Sequence, residues 1–201
     1  MDNDKNKIIA ELRNSFMLID EKAMDTLCDL IVRSPKIFFY SRGRVNIALK
    51  AFCMRLNHLG LCGRMVGDIN TPHISKGDLL IAGSSLGFYS TIDRYIKIAK
   101  DNGAYIAAFT SNLEGPIWKD TDVLINLEAK AFTSHPEDFE KKELSNVEKR
   151  AVELLNLPSE QPMCSTFEQL ILLAGDYMVL KLQKKLNQDE TQLRSRHANI
   201  L

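Results

Sequence analysis

The chain has 201 residues, 45% of them hydrophobic and 26% charged, the proportions of a folded globular protein rather than a disordered or fibrous one. That length suits one domain, or at most a domain with a helical appendage, because single cores close at about 100 to 200 residues. Lys plus Arg number 26 and Asp plus Glu also 26, so no surplus positive charge is left for a nucleic-acid backbone or an anionic bilayer.

The first residues, MDNDKNKIIAELRNS, are charged and helical in pattern. They hold neither the apolar core of a signal peptide nor a run long enough to span a membrane, which predicts a cytoplasmic protein with no membrane partner. Residues 4–33 then carry Ile8, Leu12, Phe16 and Ile19, followed by Met24, Leu27, Leu30 and Ile31, at helical spacing. Two N-terminal helices are predicted, the second capped by Asp20 and stopped at Ser34-Pro35. Five short apolar runs follow at 36–40, 61–66, 78–83, 104–110 and 122–127, with helices read after the first and third. This alternation predicts an α/β fold, a three-layer sandwich around a five-stranded parallel sheet.

Residues 128–160 show no strong period and include the solvated stretch HPEDFEKKE, read as an excursion with one helix near 145–156. A long helix is predicted from about Cys164 to Leu186, and a polar tail ending RSRHANIL closes a single domain whose C-terminal part spans 164–201. The four cysteines, Cys28, Cys53, Cys62 and Cys164, form no C-x-x-C pair and read as small buried hydrophobes, so neither a zinc site nor a disulfide framework is expected.

Ligands of an open parallel sheet bind at the carboxyl ends of the strands, which draws attention to two strand-to-helix loops, SRGRVN at 41–46 and GSSLGFYS at 83–90. Ser41, Gly43, Arg44 and Asn46 in the first, and Ser84, Ser85, Gly87 and Ser90 in the second, have the composition of a phosphate cradle. The competing reading is a set of turn and cap residues with no ligand. No G-K-[ST] follows, so neither loop is a Walker loop.

The order of segments resembles the sugar-isomerase (SIS) domain, and within it the 6-phospho-3-hexuloisomerases. The resemblance is carried by K-A-F-C-M-R-L-N-H-L-G at 50–60, V-G-D-I-N-T-P-H-I-S-K-G-D-L-L-I-A-G-S at 66–84, Q-P-M-C-S-T-F-E-Q at 161–169 and R-H-A-N-I at 196–200. It implies interconversion of 3-hexulose 6-phosphate and fructose 6-phosphate through an enediolate, in formaldehyde-fixing or pentose-supplying metabolism, without metal or organic cofactor. It also implies a homodimer or homotetramer with active sites at subunit boundaries. Glu168 matches the family glutamate and is the candidate base; His58 and His197 stand where the family also has histidine and are the further catalytic candidates. For His58 the competing reading is a packed side chain, and for His197 a role in closing over a ligand, in its own or a neighbouring subunit. His73 and His135, beside prolines, receive no role.

The chain departs from the family in its phosphate loops. The family's G-[AS]-G-R-S-G becomes Ser41-Arg42-Gly43-Arg44-Val45-Asn46, and its S-G-S-G-E-T becomes Ser84-Ser85-Leu86-Gly87-Phe88-Tyr89. Lost hydroxyl donors predict weaker phosphate capture, offset by Arg42, Asn46, Ser85 and Ser90, and Phe88 with Tyr89 predicts an aromatic pocket wall. Cys164 replaces the glycine usual before the Ser or Thr of the Q-P-M segment. Three readings stand at this point: an isomerase with a rebuilt phosphate cradle, a non-catalytic phosphosugar sensor on the same fold, and an oligomeric scaffold.

Overall fold

The computed structural model describes residues 2–140 and 143–200, with Asp2 described by its backbone alone, so Lys141 and Lys142 of the solvated stretch lie outside it. Five strands, β1 Ile37–Tyr40, β2 Gly63–Met65, β3 Leu79–Gly83, β4 Tyr105–Thr110 and β5 Val123–Asn126, form one sheet in the order β2-β1-β3-β4-β5. Every neighbouring pair is parallel. Among the described residues seven α-helices accompany them: α1 Asp2–Met17, α2 Glu21–Arg33, α3 Gly43–His58, α4 Ser90–Asp101, α5 Asn146–Asn156, α6 Ser165–Lys185 and α7 Glu190–Ser195.

The period of two along the strands builds both faces of the core. Ile37, Phe39, Leu79, Ile81, Ala107 and Phe109 point to one face and pack under α2, α3 and α6. Phe38, Leu80, Ala82, Ile106 and Ala108 point to the other and pack under α4 and Trp118. The central strands β1 and β3 are therefore apolar on both faces, as in sheets covered on both sides. Asp20 caps α2 by accepting from the Lys22 N–H at 2.9 Å, as its position before the apolar run predicts.

Two features differ from expectation. The polar tail contains a helix, α7, closed by a reciprocal capping box in which Asp189 accepts from the Gln192 N–H and Gln192 accepts from the Asp189 N–H. The segment after β5 also contributes a small core of its own, in which Ala131, Ala151 and Leu154 surround Leu86, with Phe88 packed edge-on to Phe139 at 5.4 Å. The apolar replacements at positions 86 and 88 thus dock this excursion onto the loop after β3. Leu86 and Phe88 do not line the cleft described next, and of the expected aromatic wall only Tyr89 does.

Candidate active site

In the order β2-β1-β3-β4-β5 the chain leaves β1 toward one side to form β2 and returns to the other to form β3, so the β1/β3 boundary is the switch point at which crossover connections part and a crevice opens. A cleft of about 420 Å³ lies there, lined by Ser41, Arg42 and Gly43 after β1, Gly83, Ser84 and Ser85 after β3, and Cys164, Phe167 and Glu168 at the start of α6. Tyr89 and the excursion residues Phe132, Ser134 and His135 complete its rim.

Three helices, α3, α4 and α6, begin at this cleft, and none of the three has a side-chain cap. Where side chains close helices elsewhere in the chain, at α2, α5 and α7, the caps are Asp20, Ser145 and Asp189. First-turn N–H groups left without a side-chain acceptor, with the positive ends of the helix dipoles behind them, suit an anion. The sequence puts Arg42, Tyr89 and Cys164 at these three cap positions, none of them a good capping residue.

Hydrogen bonds decide what the loop hydroxyls are free to do. Ser41 is buried, its hydroxyl donating to the Gly83 carbonyl at 2.6 Å and its N–H to the Asn46 side-chain oxygen at 3.1 Å. Ser84 is buried as well and accepts from the Gly87 N–H at 3.1 Å. These residues shape the two loops, whereas the half-buried Ser85 hydroxyl lines the cleft without a side-chain partner among the described residues. Arg42 is exposed at the mouth, its guanidinium 5.6 Å from the centre of the Tyr89 ring.

Glu168 lies in the first turn of α6, its side chain 14% exposed and ion-paired to Arg44 from the first turn of α3. The pair bridges two of the helix starts that frame the cleft. Just before α6, Met163 and Cys164 take left-handed backbone angles, φ 54° and 59°, a conformation that favours glycine. The Cys164 side chain is turned inward and its thiol donates to the Ala131 carbonyl at 2.9 Å, while burial pushes the thiol pKa up. Among the described residues, no group of three or more His, Cys, Asp or Glu is placed to hold a metal ion.

Of the residues proposed from sequence, Ser41, Gly43, Ser84, Ser85 and Glu168 line the cleft, Asn46 holds the Ser41 N–H, and the exposed Arg44 reaches Glu168 from an adjoining groove. Gly87 and Ser90 do not. Gly87 is buried against Gly115 and Trp118, and Ser90 opens α4 on the exposed side. His58 and His197 are also placed elsewhere in the chain's own fold. His58 ends the 16-residue α3, about 22 Å along the helix from the cleft. Its ring centre is 5.1 Å from that of His197, while Arg196 donates to the His58 carbonyl at 3.1 Å. The R-H-A-N segment therefore supplies an acceptor-seeking cation to the carbonyl end of α3, a helix C-terminal contact that the tail's polar composition concealed. Conversely, His135 gains a place on the cleft rim, its Nδ1 3.1 Å from Glu137 Oε1. A loop histidine beside proline carries no periodic signal that would have singled it out.

No family model matches the chain. It is 34% identical over 194 residues to 3-hexulose-6-phosphate isomerase of Bacillus subtilis, covering 96% of this chain and 95% of the relative. To the enzyme of the same name from Methanocaldococcus jannaschii it is 32% identical over 178 residues, 89% of this chain and 84% of the other. Among solved structures, a hypothetical protein of Methanococcus jannaschii whose crystal structure infers a 3-hexulose-6-phosphate isomerase function superposes with a TM-score of 0.71 at 30% identity, over 100% of this chain and 98% of that one. A sugar-phosphate isomerase fold from Listeria monocytogenes, at 16% identity and a TM-score of 0.73, shares the architecture. With its parallel sheet, its cleft at the β1/β3 switch point and relatives matched over nearly their whole length, the chain belongs to the 3-hexulose-6-phosphate isomerase family of phosphosugar isomerases.

Proposed function

We propose that this chain interconverts 3-hexulose 6-phosphate and fructose 6-phosphate, with the phosphate held at the starts of α3 and α4 and the reacting carbons facing Glu168. The observation that carries the reading is the convergence of three helix starts without side-chain caps on one cleft that also holds a single shielded carboxylate. Ser85 and Arg42 add donors beside the phosphate, in place of the hydroxyls missing at positions 45 and 86.

In the direction from fructose 6-phosphate, the Glu168 carboxylate takes the proton from C3. The C–H electron pair becomes the C2–C3 double bond and the charge settles on O2 as an enediolate. The O3 hydroxyl proton passes to O2, Glu168 returns its proton to C2, and the carbonyl is left at C3. One carboxylate serves both transfers, and the substrate is neither oxidised nor reduced as a whole. Incubating the purified chain with fructose 6-phosphate tests this: the reading expects 3-hexulose 6-phosphate to accumulate to equilibrium, and binding without product would favour the sensor reading instead.

We further propose that the protein works in the cytoplasm, in the hexulose phosphate route that fixes formaldehyde, as a homodimer or homotetramer. Ile47 on α3 and Leu172 on α6 are exposed apolar residues beside the Arg44–Glu168 pair, and Met54, Leu173 and Leu180 are exposed farther along the same two helices, a surface suited to a second copy. His58 and His197 reach a cleft only if another copy supplies them. Mixing inactive Glu168→Gln and His58→Ala chains should then restore activity by forming intact mixed sites; no recovery, or a monomer by sedimentation, would refute this assembly.

A further inference from the structure

Glu11 sits on α1, outside the cleft, and is half-buried. Its Oε1 accepts from the Thr166 hydroxyl at 2.6 Å and from the Ser159 hydroxyl at 2.8 Å, while its Oε2 accepts from the Glu160 N–H at 3.0 Å. Gln161 closes the cluster, its side-chain amide donating to Thr166 Oγ1 at 3.1 Å and its N–H to Ser159 Oγ at 3.1 Å. One carboxylate from the N-terminal helix thus fixes both ends of residues 159–166.

That segment has reason to need fixing. It contains the two consecutive left-handed residues Met163 and Cys164, neither of them glycine, and such backbone persists only where its surroundings hold it. It also sets the first turn of α6, where Thr166 is fully buried and Glu168 follows two residues later. No side chain caps the helix, so its start is defined by Thr166 and the loop before it.

We propose that Glu11 is a positioning residue for the isomerase reaction: by gripping Ser159, Glu160 and Thr166 it fixes the start of α6 and hence the direction of the Glu168 carboxylate. The inference rests on Glu168 being the base. It gives α1 a part in catalysis although no α1 residue lines the cleft. A misplacement of order an ångström at the base costs turnover far more than it costs binding, since the phosphate is held by other helices.

The test is steady-state kinetics of the full chain with fructose 6-phosphate. Glu11→Ala should lower kcat about tenfold or more and leave KM within about threefold. Glu11→Gln keeps the oxygen that receives both hydroxyls and should recover kcat to within about threefold of the parent. Lys7→Ala breaks the exposed Lys7–Glu160 pair between the same helix and the same segment, 3.2 Å long, and should change kcat by no more than about twofold. Parental kcat in folded Glu11→Ala, a change confined to KM, or Glu11→Gln no better than Glu11→Ala would each overturn the proposal. If Glu11→Ala does not fold, Thr166→Val gives the same reading, and parental kcat there overturns it. Turnover surviving in Glu168→Gln would instead refute the base assignment, whatever the Glu11 variants do.

Discussion

Arg44 in the first turn of α3 is ion-paired to Glu168 in the first turn of α6, bridging two of the helix starts beside the cleft. The partners differ sharply in environment, with 68% of the Arg44 side chain exposed against 14% for Glu168. An ion pair with one end in solvent contributes little to folding, so its effect should lie in where it holds the carboxylate. Arg44→Ala should change the unfolding free energy by less than about 1 kcal/mol while lowering kcat/KM by about tenfold or more. Denaturation and kinetics on the same preparation check both halves.

Gly87 carries the loop after β3 across the Trp118 ring at φ +74°, and a Cβ there would lie 2.5 Å from Trp118 Nε1 and 2.9 Å from Gly115 Cα. Neither neighbour can retreat easily: Trp118 is buried, with its ring N–H donating to Thr110 Oγ1 at 3.0 Å, and the Gly115 contact is backbone. Gly87→Ala combines a left-handed alanine with overpacking and should cost about 2 to 4 kcal/mol. The measurement is the denaturant midpoint at unchanged slope. Because the same loop carries Ser84 and Ser85, KM for the sugar phosphate should rise as well.

The sheet was legible because β1, β3, β4 and β5 are mainly apolar bursts of four to six residues between turn signals, and β2, Gly63-Arg64-Met65, lies inside the run LCGRMV. The loops were less so. Leu86 and Phe88 read as replacements for phosphate donors, yet they pack with Ala131, Phe139, Ala151 and Leu154, contacts across some 40 to 70 positions that no local pattern encodes. Glu168 was found by motif, and the three open helix starts around it became visible only when the sheet brought 42, 89 and 164 together. His58 shows the reverse case. It too was found by motif, and what the sequence hid is that the length of α3 carries it to the other end of its own chain's sheet, where Arg196 and His197 meet it.

The His58–His197 contact makes the C-terminal segment sensitive to acid. Burial first, then the neighbouring charges of His197 and Arg55, push the His58 pKa below its ordinary value of 6.5. A histidine with a lowered native pKa binds more protons when unfolded, so its contribution to stability is complete above pH 6.5 and is lost as pH falls through the lowered value. Hydrogen-exchange protection at residues 188–197, taken relative to the intrinsic exchange rate at each pH, should therefore fall between pH 7 and pH 5 more than protection in the strands. His58→Gln should flatten that difference; an unchanged profile would separate the tail from His58 titration.

The proposed reaction turns on Glu168 moving one proton between C3 and C2 of a bound sugar phosphate. The most direct measurement is loss of deuterium from fructose 6-phosphate labelled at C3, followed for the parent chain and for Glu168→Gln at saturating substrate. An amide matches the carboxylate in size but cannot accept the proton, so the variant should lose deuterium about a hundredfold to ten-thousandfold more slowly while KM stays within a few-fold. Equal loss of label from C3 in the two proteins, or label that stays at C3 in the parent, neither carried to C2 nor exchanged with solvent, despite saturable binding, would contradict the account.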